Sequence, residues 1–296
     1  MESESVEVTL KQTVMRIAAS TYLNSAPLVY SFSQGFLRHE YEFLGDAAPS
    51  RCAAMLAAGQ CEIALIPVIE YQRIPGLLVI PDVAVASKKR VRSVLIASRC
   101  SLQDVKRMAL DTSSRTSQTL VKILLEQQYG VRPVFTERTP DFAASCENMF
   151  EGNDAALVIG DPAMRLAALA PQLGLQIYDL AEEWRSMTGL PFVFAVWAAR
   201  ADVVDNQDSI AKDFLAAKLE GMSKLNQIAA SYAKELSLPQ QSLLEYLREN
   251  VNYDLDPENI AGMQRYFALA AQCGMIPEYR PIEFLPLKEL IEAAGK

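Results

Sequence analysis

Histidine is almost missing from this chain of 296 residues: His39 stands alone, with no paired metal ligand around it. Zinc needs three or four converging ligands, so no metal is expected, and His39 lies outside every motif described below, which argues against histidine base catalysis. The five cysteines, Cys52, Cys61, Cys100, Cys146 and Cys273, are odd in number and scattered, without CxxC spacing. That usage suits reduced thiols in a cytoplasmic protein. Basic residues are outnumbered, 28 Lys and Arg against 36 Asp and Glu, for a net charge of -8. A nucleic-acid partner, which calls for a basic surface, is therefore not expected. An anionic ligand would need positive potential that is local and placed. No apolar run is long enough to span a membrane, and the acidic start MESESVEVTLKQTV lacks the apolar core of a secretory signal. We read residues 1–14 as a flexible tail. A glycine-rich loop with GK[ST] is also absent, so no nucleotide is announced.

What is present is ordinary globular material, 50% hydrophobic and 22% charged, enough for one large or two medium domains. Strands and helices alternate through the first two-thirds. Strands are expected at 14–20, 41–46, 61–68, 92–98, 107–112, 133–137, 155–160 and 174–180. Helices are expected near Pro27, over 49–59, 114–129 and 141–151, with a short one after 180. LPFVFAVWAAR (190–200) is apolar throughout, as in a strand buried on both faces. From about residue 207 the periodicity is helical, with breaks at Pro239 and Pro257. Alternating βα units followed by helices predict an α/β protein with mainly parallel sheets.

The stretch DTSSRTSQT (111–119) crowds hydroxyls and one arginine where a strand hands over to a helix. In open α/β sheets ligands sit beyond the strand ends, near helix N-termini. The first N–H groups of a helix are unpaired and partly positive, and Arg115 offers a fork that matches a carboxylate. Thr112, Ser113, Ser114, Arg115, Thr116 and Ser117 thus form a candidate anion seat, with an over-provided helix cap as the plainer reading. STYLNSAPLVY (20–30) places Ser20, Tyr22 and Asn24 at another strand end, where Asn24 reads equally well as a cap. Glu70 follows the third strand, and Asp161 in VIGDPA stands at a further strand–helix junction. SKKRVRS (87–93), with Ser87 and Ser93, reads as a basic surface loop or as a ligand-binding crossing.

Taken together, STYLNSAPLVY, GQCEIALIPVIEYQRIPGLLVIPD, VASKKRVRSVLIAS, ALDTSSRTSQTLVKILL, AALVIGDPAM and YDLAEEWRSMTGLPFVFAVWAAR resemble the chorismate dehydratase family of the futalosine route to menaquinone. The resemblance runs in order from about residue 15 to 200; the helical remainder matches in character only. Val68 departs from it, standing where a serine is common, as does Lys88-Lys89-Arg90, where glycine is frequent. The resemblance implies a two-lobed periplasmic-binding-protein-like (type II) α/β fold with a helical C-terminal segment. Lobe one would comprise 15–92 plus 200–296, lobe two 93–199, with the ligand cleft between them. It also implies a cytoplasmic, cofactor-free hydro-lyase, monomer or homodimer, whose small-molecule substrate is chorismate. Asn24 would then orient the substrate, and the base would be the substrate's own enolpyruvyl carboxylate, with Glu70 or Asp161 as protein alternatives. A cytoplasmic solute-binding or sensor protein for a small carboxylate is the competing reading.

Overall fold

The structure is a computed structural model describing residues 14–141, 146–203 and 209–286. The expected tail, 1–14, lies outside them except for Val14.

The chain enters through β1 (Met15–Ser20), α1 (Ala26–Ser33), β2 (Tyr41–Asp46), α2 (Pro49–Ala57), β3 (Ile63–Pro67), the single turn α3 (Glu70–Arg73) and β4 (Leu77–Ser87). It then crosses to β5 (Val94–Ser98), β6 (Arg107–Asp111), α4 (Arg115–Gln127), β7 (Val134–Arg138), β8 (Ala155–Ile159), α5 (Gly160–Leu169), β9 (Gln176–Asp179) and α6 (Leu180–Thr188). β10 (Phe192–Arg200) leads back to α7 (Ile210–Ser223), α8 (Leu225–Leu236), α9 (Gln240–Glu245), a π-helical turn at Tyr246–Asn250 and α10 (Pro257–Gln272). Pro27, Pro49 and Pro257 sit in first helical turns, where a missing N–H costs nothing.

The strands form two sheets of the same pattern, β2-β1-β3-β10-β4 and β7-β6-β8-β5-β9. In each, three parallel strands are followed by one that runs antiparallel to both its neighbours, β10 in the first sheet and β5 in the second. The sheets are thus mixed rather than mainly parallel, and the odd strand in each is the one that enters straight from the other lobe. Residues 190–200, expected at the end of the second lobe, belong instead to the first sheet: Val196 pairs with Ile66 on one side and Ala84 on the other. The return crossing therefore precedes Phe192.

β4 is not announced by pattern, because Pro81 interrupts an apolar run and proline normally argues against an inner strand. Here Pro81 and Asp82 (φ 60°) fall in an irregularity, since the register against β10 slips between Val196 and Ala198. Of the helix expected over 141–151, residues 142–145 lie outside those described, and Glu147–Phe150 form a 3-10 turn. The core runs through both lobes. Trp184, Phe192 and Tyr266 pack edge to face between them, and the Trp184 indole N–H donates to the Pro191 carbonyl at 3.0 Å.

Asp179 secures the crossing. Its carboxylate accepts from the backbone N–H groups of Val91 and Arg92 and from Ala181 and Glu182 at the start of α6. One buried side chain thereby caps a helix and fixes the strap between β4 and β5.

Candidate functional site

A small cavity of about 40 Å³ lies between the two sheets, and both contribute to its wall. The first lobe supplies Ser20, Tyr22, Asn24 and Ser25, with Leu65, Val85 and Phe194 as an apolar side. The second supplies Ser114 and Ser117 from the start of α4, Gly160 from the start of α5, and Val94 and Ile159. α1, α4 and α5 all direct their N-terminal ends here, so their dipoles add at one place. Among the described residues no arginine, lysine, aspartate or glutamate lines this space. Attraction for an anion comes from dipoles and hydroxyls.

The local bonding shows how these groups are aimed. Ser114 caps α4: its Oγ accepts from Ser117 N–H at 3.3 Å and donates to Ser117 Oγ at 2.8 Å. That leaves the Ser117 hydroxyl proton free for the cavity. On the opposite wall the Ser20 and Ser25 hydroxyls lie 2.8 Å apart, and Ser25 Oγ donates to Asn24 Oδ1 at 3.3 Å. With its oxygen engaged, Asn24 keeps its amide N–H groups for a ligand. Ser25, not Asn24, is the cap residue of α1, so the cap reading of Asn24 does not hold. Burial, with the negative Asp111 nearby, pushes the Tyr22 phenol up to about 12. It is therefore a neutral donor and no base.

Asp161 joins the lobes. Leu23 N–H donates to its Oδ1 at 3.1 Å and faces Oδ2 at 3.4 Å. Burial pushes this carboxyl up to about 7; the Leu23 bond opposes the shift and the charge of Glu235 adds to it. Beside it, Gly160 (φ 68°) carries the Tyr22 ring, and a Cβ there would stand 2.8 Å from ring carbons. Only glycine permits both the backbone and the contact.

Other expected site residues are placed elsewhere. Arg115 does not line the cavity: its guanidinium is about half exposed and pairs with Glu70 at 2.8 Å, while Arg73 holds the other Glu70 oxygen at 2.8 Å. Glu70 is thus a buried inter-lobe anchor between two cations. Thr116 accepts from Ile69 N–H at 3.3 Å, and Thr112 bonds Thr139 at 2.9 Å. Ser113 is turned onto the buried Asp111, donating to it at 2.6 Å. Ser93 accepts from the Tyr246 hydroxyl at 2.7 Å. Ser87 is buried, and among the described residues its hydroxyl has no partner. Of the basic residues of 87–93, Lys88 pairs with Asp256 and Glu258.

The pairing of Arg115 makes its removal mild. Arg115→Ala should cost about 1–2 kcal/mol of stability, since Arg73 still neutralises Glu70, and leave KM within about threefold. A loss of substrate affinity of a hundredfold or more would return the guanidinium to the ligand; steady-state kinetics and thermal melting decide it.

Sequence reasoning passed over Ser25, Val94, Gly160 and Phe194. Ser25 and Gly160 stand inside quoted motifs, and a glycine between strand and helix could have been singled out. Val94 and Phe194 carry no local sign, because only the sheet pairing turns them inward.

A family model described as menaquinone biosynthesis matches residues 15–272. A chorismate dehydratase from Thermus thermophilus is 30% identical over 276 residues, covering 88% of this chain and 96% of its own. A chorismate dehydratase from Campylobacter jejuni is 26% identical over 254 residues, covering 83% and 92%. Among solved structures, a protein of Archaeoglobus fulgidus superposes with a TM-score of 0.70 at 18% identity, covering 88% of this chain and 98% of that one. The periplasmic aliphatic sulphonate binding protein of Escherichia coli gives 0.61 at 16% identity, covering 95% and 96%. The second likeness shows the periplasmic-binding-protein-like fold.

Proposed function

The chain belongs to the menaquinone biosynthesis family, and from that premise we propose that it is a chorismate dehydratase, a hydro-lyase converting chorismate to 3-[(1-carboxyvinyl)oxy]benzoate and water. The observation that carries this reading is a cavity walled by donors and apolar groups but, among the described residues, by no carboxylate. We place the reaction in the futalosine route and in the cytoplasm, and take the lobes as 15–92 with 191–286, and 93–190.

The chemistry follows from the substrate. The C3 proton is vinylogous to the ring carboxylate, so its removal sends negative charge through the diene to that group. Expulsion of the C4 hydroxyl then completes the aromatic ring, which supplies the driving force. The start of α4, with the Ser114 and Ser117 hydroxyls, suits the ring carboxylate, where charge grows; preorganised donors in a water-poor site are effective there. The amide of Asn24 suits the departing hydroxyl or the side chain. Tyr22 is neutral, Glu70 is held by two arginines and Asp161 by Leu23. The substrate's own enolpyruvyl carboxylate is therefore the base we favour.

A cavity of about 40 Å³ holds only a few water molecules. A ring with two carboxylates requires the lobes to part, and their closure then expels water. Purified protein should consume chorismate, seen as loss of its diene absorbance, with unchanged rate after exhaustive chelation. Tight binding of chorismate with no turnover would make the protein a carboxylate-binding or sensor module instead.

A further inference from the structure

A second cavity, of about 560 Å³, opens between the lobes on the far side of β5. Val94 lines the first cavity and Leu95 the second; consecutive strand residues face opposite sides of a sheet, so the two spaces are separate. Its size falls within the roughly 300–1,000 Å³ usual for small-molecule sites. The second lobe contributes Leu95, Met164, Ala168 and Ile177; the first contributes Leu238 and Leu243, so most of the wall is apolar.

Two arginines, Arg90 and Arg92, also line it. Arg92 donates to Ser242 Oγ at 3.0 Å and reaches Asn250 Oδ1 at 3.5 Å, both uncharged partners. Among the described residues no carboxylate makes an ion pair with it. With neutral partners only, the Arg92 guanidinium keeps its charge available to an anion entering the space. Arg92 is also held in the left-handed region, φ 63°, a strained position for a side chain of this size. Arg90 adds a second guanidinium, only loosely engaged, 3.8 Å from Asp179 and 3.9 Å from Glu182.

We propose that this cavity binds a carboxylate carrying a ring-sized apolar body, and that the bound ligand bridges the lobes and tunes their closure. The guanidinium fork matches a carboxylate in two parallel bonds, and the aliphatic wall suits the ring. Met164 lies one helical turn along α5 from Gly160, so a ligand pressed against α5 acts on the helix end that forms the catalytic cavity. It favours whichever lobe arrangement presents both walls.

The test titrates 2-naphthoate into the full chain by calorimetry, with and without saturating chorismate. Binding is expected in both cases, with 2-methylnaphthalene at least tenfold weaker. Arg92→Gln should weaken 2-naphthoate by roughly tenfold to a hundredfold. Ala168→Phe, which narrows the cavity from its wall, should weaken binding at least tenfold while leaving kcat for chorismate within about twofold. Both variants are checked by thermal melting, and crystals soaked in 2-naphthoate locate the ligand should either fail to fold. Displacement by chorismate, indifference to both substitutions, density elsewhere or no binding at millimolar concentration each overturn the proposal. Because binding is read without turnover, a failure of the dehydratase reading is seen separately.

Discussion

Alanine in place of Asn24 is expected to lower kcat by about 10²–10³, the usual cost of losing one aimed donor in a closed site. The melting temperature should hardly move. Asn24 is not the cap residue of α1, and among the described residues its one side-chain bond is the 3.3 Å contact accepted from Ser25. Its removal therefore takes away little that the resting fold uses. What is lost is the amide that the Ser20–Ser25–Asn24 chain turns toward the ligand. Asn24→Asp should be at least as damaging, since a carboxylate there repels an anionic substrate. Steady-state kinetics with a melt on the same sample decide the matter. A kcat within threefold of the parent would reduce Asn24 to a spectator.

The second large effect is a pH dependence that belongs to Asp161. With the lobes closed its carboxyl titrates at about 7; with the lobes apart and the group in water it should titrate near the ordinary value, about 4. A raised value in the closed form means that closure takes up a proton. Its contribution to closure is complete below about pH 4 and is lost as pH rises through about 7, at up to about tenfold per pH unit between these limits. The groups facing it, Tyr22, Tyr232, Tyr246 and Glu235, supply no compensating positive charge. KM should accordingly climb between pH 5 and about 7, then level off. Asp161→Asn keeps an acceptor for Leu23 N–H and should flatten that profile, with kcat staying within about tenfold. Asp161→Ala orphans the Leu23 N–H and should raise KM at every pH. A thousandfold fall in kcat for Asp161→Asn, with folding and binding intact, would instead make this carboxylate the general base.

How much of this was legible depends on whether the signal was local. Ser114 as the cap of α4, and the hydroxyls behind it, could be read because capping chemistry is written in neighbouring residues. The partner of Arg115 could not be read, for the opposite reason. A strand-end arginine and Glu70 are each visible in sequence, yet only the packing of α3 against α4 reveals that they satisfy one another. The strand at 190–200 was recognised by its unbroken apolar character, which reports burial on both faces but not which neighbours bury it. Its place between β3 and β4 is a long-range fact. β4 itself was hidden by Pro81, whose irregularity needs the partner strand to be seen. Phe194 and Val94 reach the cavity through those same pairings, so they were out of reach.

The position of β10 has a consequence for synthesis. A ribosome delivers β1 to β4 early, but the slot between β3 and β4 cannot be filled until Phe192–Arg200 has emerged. Over that interval β3 and β4 present unpaired inner edges, the kind of surface that invites mispairing between nascent chains. The second sheet meets no such delay, because all of its strands lie between Val94 and Asp179. The middle of the polypeptide can therefore mature first, and its two ends close around it afterwards. Assembly in that order would reverse the order in which the lobes begin.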